Sequence, residues 1–507
     1  MIDQRWRNIA LFCIGGVFSL LLLAGLSYGL ATPVYALGPI FVDDDACPGT
    51  GSGTQLDPYC AIQDAVDAAD PGDEIRVAEG TYGPGQMMID ARTAYTYTQV
   101  AFITKTLTLR GGYDAADWAA DPDPDAHPTV IDAVQQGRGV SIVGTSGDRP
   151  AVVIEGFTIT GGDYTGLGNP AGTYNRVCRN YETDCGGGVF AQYSALTVRN
   201  CYIHDNTAGT TDSGQGGGLY LWNIATPGVL IDATTVISNS GQDQGGGLYD
   251  FGSTGPITIT HSIFRANSAR YGGAMLINGQ ALLHISDSDF ISNTATIQTG
   301  GVHFDSFTDV TMERVRYQDN QADTDYAALY LNGEINDAHA RLTNVLFSGN
   351  RTTTSYNDDA VVYIYNSKTA MQVDLLHVTA ADNAAPNFLH AKSWGAGHYL
   401  TVALTNTLLV DIPIAFAASE TNDGTTLIRH THTFTDGVTT LHTTLEGTPT
   451  FEALNPISGD AHLDATYHLL SDSDAIDTGV DAGVLDDIDG DARPQGNAPD
   501  IGADELD

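Results

Sequence analysis

One pair of side chains in this sequence is spaced for acid–base chemistry. His303 and Asp305 stand two residues apart in a run that reads as a β-strand, so both should project from the same face. An imidazole beside a carboxylate can accept and return a proton. Asp250 lies in an earlier copy of the same pattern and could join the pair. We favour the competing interpretation, a polar interruption in a column of surface residues.

An acidic turn near the C-terminus is the second candidate for chemistry. Asp487, Asp489 and Asp491 alternate along this turn and could surround a cation. Ca²⁺ takes six to eight oxygen ligands, but the EF-hand pattern is not met because no glutamate occupies its twelfth position. A Ca²⁺ site and an acidic turn capped by Arg493 both remain open. No other cofactor is predicted.

The net charge of the chain is strongly negative. It carries 62 acidic and 21 basic residues, which gives a formal charge of -41. Such a surface repels phosphate backbones, which argues against nucleic acid as a partner. It also repels acidic polysaccharides unless a cation bridges the two surfaces.

The first 36 residues form a targeting segment. Arg5 and Arg7 precede an apolar run over about residues 9–30, and residues 34–36 offer a small-residue cleavage pattern. The apolar run is also long enough to cross a bilayer. A cleaved signal peptide and a retained membrane anchor are both open. Either one predicts export to the cell surface or the extracellular space.

Five cysteines lie beyond the targeting segment, and export permits disulfides. Cys47 and Cys60 bracket a glycine-rich loop, and Cys178 and Cys185 bracket another, so both pairs are predicted to be bonded. Cys201 would then be left over. A bond between Cys185 and Cys201 is equally allowed by the sequence.

An imperfect repeat of about 26 to 33 residues runs through the middle of the chain. Its first motif is a pair of small residues followed by an apolar and then usually an aromatic residue. This motif occurs at residues 187–190, 217–220, 246–249, 272–275, 300–303, 327–330 and 360–363. The second motif ends in asparagine, at Asn206, Asn239, Asn267, Asn293, Asn320, Asn350 and Asn383.

Each repeat would hold a strand after the small pair, a turn, a second strand and an asparagine turn. One such unit cannot bury its own apolar face, but stacked copies can. Parallel strands would pair between coils about 4.8 Å apart, and the asparagines would form a hydrogen-bonded ladder. The predicted fold class is therefore all-β, a right-handed parallel β-helix.

The ends of such a solenoid need caps. Apolar residues at Ile62, Ala65, Val66 and Ala69 have a helical spacing, which predicts a short capping helix at the N-terminal end. The chain then divides into a targeting segment (1–36), an N-terminal cap and first coil (37–80), the β-helix (81–394), irregular last coils (395–469) and an acidic C-terminal module (470–507).

A column of aromatic residues is the most informative feature for function. When the repeats are aligned on their small pairs, the first residue after each pair is predicted to face the core. The second and fourth residues after the pair are predicted to face outward, and Met275 and Ile277 are among them. Exposed aromatic patches often mark binding surfaces. We therefore predict ligand contacts at Phe190, Tyr220, Trp222, Tyr249, Phe251, Tyr330, Tyr363 and Tyr365. The alternatives are a self-stabilising stack, or a cover formed by the loops at 163–184 and 205–216.

Two known groups share these patterns. The alternating motifs of residues 186–383 resemble the GGA[I/L] and FxxN repeats of chlamydial-type polymorphic outer-membrane proteins. The N-terminal flank resembles bacterial pectin-lyase-like β-helix proteins over residues 41–43, 51–54, 57–60, 61–69 and 71–77. The C-terminal flank is similar to the module that precedes variable sorting signals in such proteins, over residues 475–479, 487–494 and 499–505. The resemblance implies a β-helix surface protein. No translocator follows the repeats, so self-export is not implied.

Catalytic motifs of known β-helix enzymes are incomplete here. Polygalacturonase-like hydrolases need an Asp-Asp cluster, a Gly-His-Gly and an Arg-x-Lys, and only Asp358-Asp359 is present. Pectate-lyase-like chemistry needs a basic residue beside a Ca²⁺-bound uronate. Nothing marks one of the candidate arginines as that base, namely Arg265, Arg270, Arg314 and Arg316.

The sequence thus predicts an exported, adhesin-like structural or binding protein whose partner is a polysaccharide or a cell-envelope or protein surface. The alternative is a polysaccharide lyase or glycoside hydrolase that acts on the aromatic outer face. In that case His303 and Asp305 would be its acid–base pair.

Overall fold

The protein is described by a computed structural model that covers residues 38–84, 88–90, 95–165, 178, 184–209, 214–279 and 282–506. The coils form three parallel sheets, and each strand pairs in parallel with the equivalent strand of the next coil. The described chain is therefore a right-handed parallel β-helix, and the predicted fold class is confirmed.

Sheet 1 has two short strands per coil in the first half of the chain, and these merge into one long strand from residue 282 onward. Its strands are Ile40–Val42, Glu74–Ala78, Gly80–Tyr82, Leu107–Tyr113, Thr129–Asp132, Ala151–Glu155, Phe157–Thr160, Ala195–Arg199, Tyr202–His204, Val229–Asp232, Thr235–Ile237, Ile257–Thr260, Ile263–Arg265, Leu282–Ile291, Asp309–Gln318, Ala338–Ser348, Ala370–Ala381, Tyr399–Val410, Thr425–Asp436, Thr450–Leu454 and Ile457–Ser458.

Sheet 2 has twelve strands and sheet 3 has six, and a coil contributes at most one strand to each of them. Sheet 2 contains Gln99–Ile103, Arg138–Val143, Val189–Gln192, Leu219–Trp222, Leu248–Phe251, Met275–Asn278, Val302–Ser306, Tyr326–Gly333, Ala360–Asn366, Asn387–Trp394, Ile414–Thr421 and Thr440–Glu446. Sheet 3 contains Thr207–Ala208, Ser240–Gln244, Ser268–Tyr271, Thr294–Gln298, Gln321–Ala322 and Arg351–Thr352. A separate antiparallel pair joins Met88–Asp90 and Tyr95–Tyr97.

One apolar core runs along the axis of the coils. Residues alternate along each strand, so that Ile257 and Ile259 are buried whereas Thr258 is half-buried. The aromatic residues of the asparagine motif stack inside this core, with ring centroids 5.4, 5.1 and 5.0 Å apart along Phe264, Phe290, Tyr317 and Phe347.

The predicted asparagine ladder is present. Each side-chain Nδ2 donates to the Oδ1 of the asparagine one coil further on, over 2.9 to 3.1 Å. The same Oδ1 accepts the backbone N–H of the preceding asparagine. The ladder is buried from Asn206 to Asn383. Because these amide groups find partners one coil away, the turn can stay inside the molecule at little cost.

The N-terminal cap is a short α-helix, Ile62–Ala68, as the apolar spacing predicted. Ile62, Ala65 and Val66 are buried and belong to the main core. A 3₁₀ turn, Asp44–Ala46, lies nearby and is capped by the Asp43 carboxylate. The helix thus closes the end of the core that begins at Ile40–Val42.

Both predicted disulfides are present. Cys47 bonds to Cys60 and Cys178 bonds to Cys185, with Cα atoms 5.0 and 5.9 Å apart. Cys201 is free and buried. Burial raises the pKa of its thiol to about 12, so it stays protonated and acts as a small apolar side chain.

The C-terminal module lies along the outside of sheet 1. Ile501 and Leu469 pack on Leu408 and Phe434 of the late coils. Arg493 is fully buried at its centre, where Nη1 is 3.1 Å from a Glu505 carboxylate oxygen. The module therefore covers a lateral face of the late coils.

Two sequence expectations about the coils are wrong. The coils do not become irregular after residue 394, because Tyr399–Val410, Ile414–Thr421 and Thr425–Asp436 continue sheets 1 and 2 in register. The full small-pair motif does not recur there, but alternating apolar residues such as Leu400 and Val402 still fill the core. The regular coils therefore extend further than the small-residue motif.

The second error is a shift of one residue at Met275. Met275 and Ile277 face the core, and Leu276 faces outward beside Tyr249. The reason lies in the preceding turn. Gly272 is the counterpart of Gly245, because both adopt a left-handed conformation with φ of 65° and 61°. The strand therefore begins one residue later than the small pair suggested.

The targeting segment predicted over residues 1–36 lies outside the described residues. Where the structure does describe the chain, it contains no helix with the length and apolar character needed to cross a membrane.

Candidate functional site

The outer face of sheet 2 holds most of the candidate residues. Strand pairing places one outward-facing residue of each coil in a single row, which we call the outer row. From N- to C-terminal coils, the outer row contains Phe190, Tyr220, Tyr249, Leu276, His303, Tyr330, Tyr363 and His390. The sequence predicted the outward orientation of six of these residues, namely Phe190, Tyr220, Tyr249, His303, Tyr330 and Tyr363. It placed Met275 where Leu276 stands, and it did not predict His390.

The first half of the outer row is buried, so it is not the solvent-facing surface that the sequence suggested. Phe190, Tyr220 and Tyr249 are fully buried and form a second apolar cluster outside the main core. Tyr164 and the Cys178–Cys185 disulfide pack in the same cluster. The predicted alternative of a covered stack therefore holds for these coils.

Arg138 lies at the start of this covered cluster and was not recognised in the sequence. Its guanidinium stands 3.5 Å from the ring centroid of Tyr164 and 4.3 Å from that of Phe190. Its Nη2 also donates to the Cys185 carbonyl over 2.8 Å. A cation packed between rings and carbonyls fixes the positions of Tyr164 and Cys185 relative to sheet 2. We regard it as structural.

Trp222 and Phe251 occupy the next outward position on their strands, two residues along from Tyr220 and Tyr249. Trp222 is buried and Phe251 is half-buried. The Trp222 ring lies 6.2 Å from that of Tyr193. These residues therefore extend the covered cluster.

The second half of the outer row is a tyrosine–histidine cluster. Tyr326, which the sequence analysis missed, stacks on Tyr363 with centroids 3.9 Å apart and on Tyr330 at 5.3 Å. Tyr363 meets the imidazole of His390 edge-on at 4.8 Å. Burial raises the phenol pKa of all three tyrosines, so they remain neutral hydrogen-bonding groups.

Access to this cluster is partial. Tyr326, Tyr330 and Tyr365 are half-buried, whereas Tyr363 and His390 are buried. Tyr365 stands two residues along its strand from Tyr363, in register with Lys392 of the next coil. Three tyrosines of the cluster are therefore partly exposed beside the buried Tyr363 and His390.

His303 and Asp305 come together at one end of this cluster. The His303 Nε2 lies 3.6 Å from an Asp305 carboxylate oxygen. Asn278 donates to Asp305 over 3.0 Å, and Thr299 contacts the other imidazole nitrogen at 3.3 Å. The His303 ring packs on Tyr330 at 4.4 Å and is almost fully buried, whereas Asp305 is half-exposed.

Asp250 does not join that pair. It occupies the inward position in register with Ile277, whose column continues to Phe304 in the core. Ser253 hydrogen-bonds one carboxylate oxygen, and the second oxygen has no hydrogen-bond partner among the described residues. Full burial raises the pKa of Asp250 to about 7. Its proposed role beside His303 is therefore wrong, because the alternation places it on the opposite side of the sheet.

His390 also forms a close contact with a hydroxyl. Its Nε2 lies 2.9 Å from the Ser419 Oγ, and its Nδ1 lies 3.1 Å from the Asp358 carbonyl. Burial lowers the pKa of His390 to about 4, so the ring is neutral near pH 7. Ser419 is only 3% exposed, which leaves little room for a substrate at its hydroxyl.

The acidic turn uses its carboxylates differently from the predicted cation site. Asp487 is buried, and one of its oxygens accepts the backbone N–H groups of Asp489 and Asp491 at 2.9 Å. Asp489 pairs with Arg316, and its other oxygen is 2.7 Å from the Nε2 of His468.

A different group of potential metal ligands lies near this turn. Within the described residues, His468, Asp489 and Asp504 place ligand atoms within 4.8 Å of one another. Asp487 and Asp491 are not part of that group. Calcium binding stays a prediction, with Asp489 as the only ligand that the two sets share.

Tyr326 and His390 were not predicted because neither belongs to the small-pair motif or to the asparagine motif. Tyr326 precedes the small pair of its repeat, and a register irregularity brings it beside the outer row. His390 follows no small pair. An alignment on strand alternation instead of glycines would have placed His390 in the row.

Comparisons with known proteins agree with this fold. A family model described as "Right handed beta helix region" matches residues 131–299. Metabotropic glutamate receptor-like protein R of Dictyostelium discoideum is 27% identical over 147 residues, which are 29% of this chain and 9% of that protein. The chain thus spans less than a tenth of the length of that relative.

Two solved structures superpose on this chain with TM-scores below 0.5. The pectate lyase Pel9A superposes with a TM-score of 0.48 at 11% identity, over 94% of this chain and 98% of that one. The GH136 lacto-N-biosidase from Eubacterium ramulus gives a TM-score of 0.34 at 12% identity, over 82% of this chain and 68% of that one. We carry no activity over from these likenesses.

Proposed function

We propose that this protein is an exported, non-catalytic β-helix that binds a neutral polysaccharide through the tyrosine–histidine cluster of sheet 2. The observation that carries the proposal is the set of half-buried rings of Tyr326, Tyr330 and Tyr365 over a stacked base. Tyrosine combines a flat apolar face with a hydroxyl, which suits the two kinds of surface on a sugar.

The charge of the chain supports a neutral ligand. A formal net charge of -41 disfavours the approach of an anionic polymer. Asp305 is half-exposed at the edge of the cluster and can accept hydrogen bonds from sugar hydroxyls. The repeated spacing of coils by about 4.8 Å would let an extended chain contact several of them.

Affinity electrophoresis in gels that contain neutral or acidic polysaccharides tests this proposal. We expect retardation by at least one neutral polymer, and we expect Tyr365→Ala to weaken it by about tenfold, or about 1.4 kcal/mol. Tyr356→Ala is a matched control, because Tyr356 is 62% exposed and lies in a loop. Retardation that survives Tyr365→Ala combined with Asp305→Asn would contradict the proposal.

A second candidate function is a polysaccharide lyase or glycoside hydrolase, and the contact between His303 and Asp305 favours it. A base for proton abstraction needs a side chain that orients it, and Asp305 stands 3.6 Å from His303 for that role. Product release from neutral and uronic polysaccharides should be measured with the wild type, with His303→Ala and with Asp305→Asn. Turnover lost in both variants would replace the non-catalytic proposal.

Export is part of the proposal and is supported by Arg5, Arg7 and the apolar run that follows them. The two disulfides fit an oxidising compartment. Mass spectrometry of the native N-terminus distinguishes a cleaved segment from a retained anchor. Recovery of the native protein from the cytosol with reduced cysteines would contradict export.

A further inference from the structure

A groove lies on sheet 1, on a different face from the outer row. Its floor is the outer side of three strands in successive coils, and its wall is the loop at residues 114–128. The open volume is about 360 Å³. That volume falls within the range of about 300 to 1,000 Å³ for small-molecule sites.

An exposed tyrosine stands in the middle of the floor. Tyr202 is 41% exposed, although it lies within a regular strand. Strand pairing places Thr158 on one side of it and Thr235 on the other. The ring of His204 packs behind it at 4.7 Å. Tyr202 is thus flanked by two short hydroxyl side chains and a histidine ring, and part of its side chain stays accessible to solvent.

The wall of the groove is fixed in place. Pro124 fits against two glycines, because a Cβ at Gly112 or Gly156 would come within 3.1 Å of it. The backbone N–H of Asp123 donates to the Gly112 carbonyl over 2.8 Å. Trp118 of the same loop is buried against Phe41. The groove is therefore largely formed before any ligand arrives, which lowers the entropy cost of binding.

The polar groups around Tyr202 have free hydrogen-bonding capacity. In the described chain, no protein group hydrogen-bonds the side chains of Asp125, Asn200, Thr158 or Thr235, which all line the groove. Together they offer a carboxylate, an amide and two hydroxyls around one aromatic face. An apolar ligand would leave these groups without partners, and Asp125 would repel an anion.

We propose that this groove binds one or two units of a neutral sugar, with the apolar face of the sugar ring on Tyr202. Its hydroxyls bond to Asp125, Asn200 and the two threonines. The site is independent of the proposed function, because it shares no residue with the tyrosine–histidine cluster. A protein with both sites would hold a glycan at two faces.

Saturation-transfer NMR on the intact protein tests the inference. The probes are short oligomers of glucose, xylose, mannose, galactose and N-acetylglucosamine. We expect signal transfer to at least one probe, with an affinity at least about tenfold weaker in Tyr202→Ala. Thr235→Val should weaken the same interaction by a smaller factor, because it removes one hydroxyl and keeps the shape.

Controls separate this site from the other proposal. Tyr399→Ala is matched, because Tyr399 is 57% exposed on the same sheet in a later coil. It should leave binding unchanged. Because the tyrosine–histidine cluster is itself proposed to bind neutral sugars, the Tyr202→Ala, Thr235→Val and Tyr399→Ala changes are compared in a Tyr365→Ala background. No transfer to any probe in that background, or transfer that survives the added Tyr202→Ala change, would overturn the inference. Transfer that the wild type shows and the Tyr365→Ala variant loses entirely would support the sheet 2 proposal and overturn this one.

Discussion

Asp250 shows how one residue inside the coils can couple stability to pH. Its carboxyl group sits at an inward position that hydrocarbon occupies in the next two coils, at Ile277 and Phe304. The neutral acid is easier to bury than the carboxylate, which is why the pKa rises from 3.8 to about 7.

The sign of the effect follows from that rise. Below about pH 4 the group is protonated in both the folded and the unfolded chain, so it costs no extra stability. Between about pH 4 and 7 the unfolded chain ionises first, and the folded state loses stability relative to it. Above about pH 7 the loss is complete, and roughly 4 kcal/mol is its upper bound.

We therefore predict that Asp250→Asn stabilises the protein at pH 8 and changes little at pH 4. The difference in free energy of unfolding between variant and wild type should grow over that range, as measured by urea titration at several pH values. Repulsion among the other acidic residues is the same in variant and wild type. Its contribution to the pH dependence therefore cancels when the two free energies of unfolding are subtracted. Asp305→Asn is the control, because that carboxylate is half-exposed. A difference that does not depend on pH would contradict the assigned pKa.

The asparagine ladder is the element that joins coil to coil at the turn into sheet 3. Asn293 contributes four hydrogen bonds to it: Oδ1 accepts from the backbone and side chain of Asn267, and Nδ2 donates to Phe264 and Asn320. Removing this side chain would leave several buried polar groups without partners. Each such group costs about 1 to 3 kcal/mol.

We predict that Asn293→Ala lowers the melting temperature strongly and opens the ladder locally. Hydrogen exchange by mass spectrometry should show faster exchange at Asn267, whose backbone N–H loses its acceptor. Asn336→Ala is the matched control, because Asn336 is exposed in a turn. Equal exchange in the two variants would show that neighbouring coils or water replace the lost bonds.

The capping helix is the element that ends the core on the N-terminal side. Val66 is buried in the main core, whereas Ala68 is exposed on the same helix. We predict that Val66→Asp costs about 3 to 5 kcal/mol, because it buries a charge without a partner. Protease cleavage should increase at Glu74–Ala78 and Leu107–Tyr113. Ala68→Asp should behave as wild type, and a similar increase in both would contradict a capping role.

At the scale of the whole molecule, the two ends of the β-helix differ in how far their residues are covered. The N-terminal end has a helix over it, whereas the last coil keeps exposed or half-buried residues along Thr440–Glu446 and Thr450–Leu454. Glu446 and Glu452 lie on this open edge. Charges on an edge discourage pairing with another chain. Glu446 and Glu452 therefore disfavour pairing of this edge with another chain.

The C-terminal module protects the side of the late coils, and Arg493 holds it together. The guanidinium bonds to Glu505 and to the carbonyls of Asp500 and Ala503, and it lies 2.7 Å from the Nδ1 of His377. Burial and the nearby Arg493 lower the pKa of His377 to about 3, so the ring is a neutral acceptor here.

We predict that Arg493→Ala detaches this module from sheet 1, because a buried carboxylate would lose its partner at a cost of about 3 to 5 kcal/mol. Limited proteolysis should then release fragments from residues 459–506, and a hydrophobic dye should bind the uncovered Leu408 and Phe434. Arg351→Ala is the control, because that side chain is exposed. Unchanged proteolysis would mean that apolar packing alone retains the module.

The sequence by itself determined the repeating parts of this protein. The small pairs, the asparagine turns, the alternation in strands and the helical spacing at Ile62 and Val66 are local patterns, and each coil reproduces the same contacts. A ladder or a β-helix follows from such a pattern because every unit meets only its neighbours.

Only the tertiary structure decided what covers the surface. Phe190 and Tyr220 are buried because Tyr164 and the Cys178–Cys185 disulfide pack in their cluster, whereas Tyr202 has no such cover among the described residues and is 41% exposed. Asp250 faces inward because the turn at Gly245 sets where its strand begins. Alternation fixes which side of a strand a residue faces, whereas exposure depends on distant segments that no local pattern specifies.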